Sequence, residues 1–303
     1  MSLVVVIKYL NQISDGKEEY RLMLKAGLLN LAGSSDINES ISKFIPAGTV
    51  GIKTNCLVRK FNSTPVPLAE ALAEILIAAG HNGNDIIVWD RTNRELESAG
   101  YKLNASSTGV RYLGTDTTGF DYSRDFYNSG PVDSLISRII TDSVVSNINL
   151  PVLKDHSIAG LSAGLKNMYG AINNPNKYHD NNCDPYAAHV SNLAPIKKKN
   201  RLIIIDAVKV QYNGGPGYDS RYLHNYNGII LSNDPVSADR IGLEIVEYCR
   251  KINSLPSLEK AGRPVKYLDS AESLGLGIAA LDKINLKVLT VNKDGQTAPG
   301  KLL

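Results

Sequence analysis

Two short stretches constrain this chain more than anything else in it. Asp85-Ile86-Ile87-Val88-Trp89-Asp90 and Arg201-Leu202-Ile203-Ile204-Ile205-Asp206 are apolar at every internal position. A strand with one wet face alternates apolar and polar residues. These do not alternate, so both of their faces must be covered, as in a parallel sheet with helices on either side. Val4 to Tyr9 and Thr49-Val50-Gly51-Ile52-Lys53 read as further strands, as does Ser143 to Leu150, which stops at Pro151. Between the second and third strands, Ser63-Thr64-Pro65 opens a helix that runs to Gly80: a hydroxyl residue caps the first free N–H groups and proline suits the first turn. Strand, helix, strand is a βαβ unit with a right-handed crossover. Helices are also expected over Lys17 to Asn30, Thr92 to Ala99, Pro185 to Ile196 and from Asp234-Pro235 to about Ile252. The expected fold is α/β, a mainly parallel sheet with helices on both faces, in one domain over residues 1–303. A division into two lobes near residues 130–150 is the alternative.

Composition narrows the function classes. A net charge of +3 over 303 residues leaves no basic footprint, so nucleic acid is not an expected partner. No run approaches the ~20 apolar residues of a membrane helix. The chain enters its first apolar run almost at once after Met1-Ser2-Leu3. That abruptness suggests a trimmed natural start, with an export leader as one segment lost, so the compartment is cytoplasmic or, with a leader, exported. Cys56, Cys183 and Cys249 are too few for a disulfide framework or for a four-thiolate iron–sulfur or zinc site within one chain. Four of the five histidines, His156, His179, His189 and His224, fall in one stretch.

Ionisable residues gather where strands end. Lys53, Thr54 and Asn55 follow the second strand, Asp90 ends the third, Lys154 and His156 follow the strand that stops at Pro151, and Asp206 ends the Arg201 strand. In open parallel sheets the crevice beyond the carboxyl ends of the strands is where ligands bind. Lysine supplies a cation for a carboxylate or phosphate, and histidine a proton or a metal-binding nitrogen. Ten residues beyond His156, Gly164-Leu165-Lys166-Asn167 places a second lysine after closely spaced glycines, which let a backbone approach a ligand. The polar loop Asn173 to Asp184 is placed to close over such a pocket. The loop Gly214-Gly215-Pro216-Gly217 lacks any phosphate-binding signature and reads as a turn. No nucleophile elbow and no H-E-x-x-H motif occurs.

The segments Val50 to Asn55, Thr64-Pro65, Asn149 to His156, Gly164 to Gly170, Ile205-Asp206 and Asn233 to Asp239 recur in the order of a widespread bacterial and archaeal family, domain of unknown function 362. The resemblance runs from the first strand to about Gly242. Members of that family often carry a ferredoxin-type iron–sulfur module or an export leader. This chain lacks the cysteines for a cluster, so the resemblance implies at most a separate redox partner protein. His156, Lys166 and a later histidine are also similar to the core of the nickel-pincer lactate racemases. That likeness implies His156 as the acid/base, Lys166 as the anchor of a nickel cofactor, and His179 or His189 as the metal ligand. From these observations the sequence reads as an enzyme acting on a small anionic substrate by acid/base chemistry. Lys53, Asn55, Lys154 and Asn167 would bind the anion. His156, Lys166, Asp90 and Asp206 would act on it or tune those that do. The alternative is a non-catalytic protein that binds an anion or cofactor for a partner.

Overall fold

The structure, a computed structural model, describes residues 1–11, 13 and 16–303. Its strands in chain order are β1 (Ser2–Tyr9), β2 (Val50–Lys53), β3 (Ile86–Asp90), β4 (Arg111–Gly114), β5 (Tyr127–Ser129), β6 (Val132–Ser134), β7 (Ser146–Asn149), β8 (Val152–His156), β9 (Gly160–Ser162), β10 (Asn200–Gln211), β11 (Leu223–Ser232), β12 (Ile284–Val291) and β13 (Thr297–Pro299). β5 and β6 form a separate hairpin, and the other strands join one 11-stranded sheet. Its main path is β13-β12-β1-β11-β10-β7-β2-β3-β4, with β8 branching from β10 and β9 pairing with β8. The run β10, β7, β2, β3, β4 is parallel throughout, as is β12 beside β1. β11 is antiparallel to both its neighbours.

Strand side chains alternate between the two faces, and here each face has its own core. Val5, Ile7, Val88, Leu202 and Ile204 pack with Tyr20, Met23 and Leu24 of the helix Lys17–Ala32 and with Leu68 and Leu72 of the helix Val66–Ala78. Val4, Val6, Trp89, Ile203 and Ile205 face the other way, onto Ile241, Ile245 and Val246 of the helix Pro235–Ile252. The two apolar stretches are therefore apolar at every position because both sides are dry. The expected helix starts are also present: Pro65 precedes Val66–Ala78, and the Asp234 carboxylate caps Pro235–Ile252 by accepting from Val236 N and Ser237 N.

Three expectations need correction. The Arg201 strand does not end at Asp206. It continues to Gln211, because Ala207-Val208-Lys209-Val210 keeps an extended, largely buried alternation, and Asp206 lies inside it opposite Val152 and Ile229. Lys154 and His156 are not in a loop after Pro151. The chain resumes as β8, which pairs with β10, then turns back as β9. The helix expected over Pro185 to Ile196 is broken at Leu193 into Tyr186–Asn192 and Ala194–Lys199, with Pro195 opening the second.

Candidate functional site

The carboxyl ends of β2 and β3 and the β8–β9 hairpin enclose a cavity of about 150 Å³. It brings together eight of the residues singled out from the sequence: Lys53, Asn55, Asp90, Lys154, His156, Lys166, Asn167 and His179. The loop over 173–184 contributes Pro175, Asn176 and His179, so it does close over the pocket.

Lys53 and Asp90 end adjacent parallel strands and form a buried ion pair, Nζ to Oδ1 2.6 Å. Both partners make further hydrogen bonds. Lys53 Nζ also donates to Thr54 O, and the Asp90 carboxylate accepts from Cys56 N and Arg91 N. Gly170 makes room for the pair: a Cβ there would lie 2.8 Å from Lys53 Nζ and 3.1 Å from Asp90 Oδ1.

Lys154 is fully buried and makes no ion pair among the described residues. Its Nζ donates to Asn55 Oδ1 and to Asn62 O, both at 2.9 Å. Burial pushes its pKa down to about 8. Behind it the amides run head to tail. Asn55 Nδ2 donates to Asn167 Oδ1 at 3.2 Å, Asn167 Nδ2 to Asn149 Oδ1 at 2.7 Å, and Asn149 Nδ2 to Gly164 O at 2.8 Å.

Lys166 sits on the single helical turn Gly164–Asn167. That turn is held by Asp239, whose carboxylate accepts from Gly164 N at 2.6 Å and Leu165 N at 2.9 Å. Asp239 comes from the helix Pro235–Ile252 and is fully buried, which raises its pKa to about 7. Lys166 Nζ lies 3.4 Å from the centre of the Tyr169 ring and 3.0 Å from His179 Nε2. It too lacks a carboxylate partner among the described residues, and burial lowers its pKa to about 8.

The two histidines are fixed in opposite tautomers. His156 Nδ1 accepts from Ile158 N and Ala159 N, both at 3.1 Å. A backbone N–H only donates, so Nδ1 carries no proton and the neutral ring holds its hydrogen on Nε2. Burial, then the charge of Lys166, drives the His156 pKa down to about 3. His179 Nδ1 lies 3.0 Å from Pro175 O, an acceptor, so Nδ1 carries the proton and Nε2 presents its lone pair to Lys166. Burial and Lys166 lower its pKa as well. The rings are 5.7 Å apart. One offers a donor and the other an acceptor.

Asp206 and His189 lie elsewhere. Asp206 lines a second cavity of about 340 Å³ with Asn62, Thr64 and Lys209. His189 is on the helix Tyr186–Asn192, its Nδ1 2.9 Å from Ser129 Oγ and its ring against Gly130. The geometry also adds residues that were not singled out. Asp155 points away from Lys154 and His156 by strand alternation and accepts from Gly215 N at 2.6 Å and Arg263 Nη1 at 2.7 Å. This holds the loop that places Pro216 at the cavity. Alternation along β8 could have found Asp155. Asn149 and Asp239 lie in recurring segments, but nothing local marks their partners, and Arg263 has no signal at all.

The donor set does not fit a metal held by the protein. Of the two cavity histidines only His179 keeps a free ring lone pair, and it faces an ammonium. Burial raises the pKa of the nearby Cys183 thiol. Among the described residues no three His, Cys, Asp or Glu side chains converge.

Residues 50–244, more than half of the chain, match the family described as Domain of unknown function (DUF362). The chain belongs to this family. All the cavity residues above lie within the matched segment, whereas Arg263 lies beyond it. No curated protein matches the chain. The likeness to nickel-pincer lactate racemases, drawn from His156, Lys166 and either His179 or His189, is not shown by the comparisons. A crystal structure of a protein from Thermotoga maritima aligns with 72% of this chain at 12% identity and a TM-score of 0.38. The aligned part spans 58% of that protein's length. None of the described helices is long and apolar enough to cross a membrane.

Proposed function

We propose that this member of the DUF362 family is an enzyme that binds a small carboxylate or phosphate anion in the Lys154–Lys166 cavity and moves a proton on it. The observation that carries this reading is the pair of buried lysines in one cavity with no carboxylate partner among the described residues. Burying an unpaired cation is expensive, and such sites are kept for a ligand of opposite charge. Lys53 lines the same cavity, but its charge is already cancelled by Asp90. The cavity is small, about 150 Å³. That suits an anion with few heavy atoms.

The division of labour differs from the sequence reading. His156 Nδ1 is occupied by two backbone donors, so the ring cannot take a second proton without losing both bonds. It serves as a fixed donor to an anionic or carbonyl oxygen. Proton movement passes to the Lys166–His179 pair, where a lone pair faces an ammonium at 3.0 Å. A capture protein without chemistry would need the lysines but not this pair. Calorimetric titration with oxalate and with inorganic phosphate tests the site. At least one should bind the unmodified protein, and Lys154→Met should weaken it at least tenfold. No binding of either, or equal binding by Lys154→Met, would overturn the reading.

A further inference from the structure

We propose that Lys166 is a nucleophile that captures the carbonyl carbon of a small 2-oxo carboxylate as an imine, with His179 Nε2 as its proton acceptor. The inference rests on the anion-site reading and names its substrate class.

Four features converge on Nζ of Lys166. An amine attacks only when unprotonated, and the usual means of producing it in a protein are desolvation and a neighbouring cation or base. Lys166 is 7% exposed, with no carboxylate to hold its proton among the described residues. Lys154, a second cation, opens onto the same cavity. The lone pair of His179 is 3.0 Å from Nζ, and its orientation is locked from behind by Pro175 O. The Tyr169 ring face, 3.4 Å from Nζ, stabilises a cation at this point. A protonated imine places its positive charge on the same nitrogen, so the ring favours the product as much as the starting ammonium.

The remaining groups match the rest of a 2-oxo acid. Lys154 offers a charge-assisted hydrogen bond to the carboxylate. His156, its Nδ1 occupied by Ile158 N and Ala159 N, offers an Nε2–H suited to the oxygen on which charge develops. The step balances within these groups. His179 takes a proton from the Lys166 ammonium. The freed nitrogen pair attacks the carbonyl carbon, the carbonyl π pair moves to oxygen, and that oxygen takes the proton back from His179, which then removes a second proton from the nitrogen. His179 returns this second proton to the carbinolamine oxygen, which leaves as water while the nitrogen pair closes a protonated C=N bond. No oxidant or reductant is needed.

Reductive trapping tests this. The protein is incubated with pyruvate and sodium cyanoborohydride, and its intact mass and peptide map are measured. The expected result is one adduct located on Lys166 and suppressed by oxalate, whose added mass is that of pyruvic acid less one oxygen atom, because water leaves when the imine forms and two hydrogens enter when its C=N bond is reduced. Lys166→Arg should give none. His179→Gln should trap at least tenfold more slowly near neutral pH and recover as pH rises, a profile that simple misfolding would not produce. Oxalate binding by the unmodified protein without an adduct would overturn the imine and leave the anion site standing. Neither binding nor adduct would overturn both. Adducts spread over surface lysines, equal in Lys166→Arg, would also overturn the imine.

Discussion

Lys53 and Lys154 enter one cavity from neighbouring parts of the sheet, yet they are built in opposite ways. Lys53 is matched by Asp90, and every polar atom of that pair is engaged. Lys154 is equally buried and, among the described residues, donates only to the oxygens of Asn55 and Asn62. One corner is electrically closed and belongs to the fold. The other carries a charge with no carboxylate partner among the described residues, and the proposed function assigns it to a ligand. The contrast separates two lysines that look equivalent in sequence, since both sit near the carboxyl end of a strand.

Substitution should break the equivalence most visibly. Lys53→Met leaves the Asp90 carboxylate buried without its cation, which costs about 3–5 kcal/mol. Lys154→Met removes a desolvated charge and leaves only two neutral oxygens, of Asn55 and Asn62, without their donor, so its loss of stability should be smaller than that of Lys53→Met. Urea denaturation of both variants measures the difference, and equal losses would erase the distinction.

Next in size is the response to pH. The folded-state pKa of Lys154, about 8, lies below the ~10.4 of an unfolded lysine. Between those values the unfolded chain binds more protons, so this lysine makes stability rise as pH rises. Below about 8 both states are charged and the cost of burial is fully present. Between pH ~7 and ~10 the denaturant midpoint of the unmodified protein should therefore rise relative to that of Lys154→Met. Anion affinity should fall over the same range. A constant gap between the two proteins would contradict the assignment.

The smallest effect sharpens the closed corner. Gly170→Ala would push a methyl group between Lys53 and Asp90, at a cost of about 1–3 kcal/mol for overpacking. Anion binding at Lys154 should change little. Urea midpoints and the oxalate titration together check this.

Much of the fold was legible because it follows from local rules. Ile86–Asp90 is apolar throughout, and the proline-led helices start where a cap and a missing N–H predict. Most of the cavity was legible for a related reason: the carboxyl ends of parallel strands converge, so residues such as Lys53 and Asp90 meet. What escaped depends on contacts remote in sequence. Asp206 looked like a strand end because nothing local shows that Ala207 to Gln211 will find partners in β11. His179 and His189 could not be told apart by spacing. Only the fold sends one ring to Lys166 and the other to Ser129. The tautomer of His156 is set by two backbone groups in a turn that the sequence did not reveal.

The row of amides behind Lys154 has a further consequence. It begins at an ammonium, which can only donate, and ends at the carbonyl of Gly164, which can only accept. Asn55, Asn167 and Asn149 between them have no choice of direction. Any one of them turned over would set donor against donor on one side and oxygen against oxygen on the other. The row thus has a single hydrogen arrangement and carries no proton disorder. An ionised aspartate, though of the same shape, would break the row at any of the three places, because it supplies an acceptor where the row requires a donor.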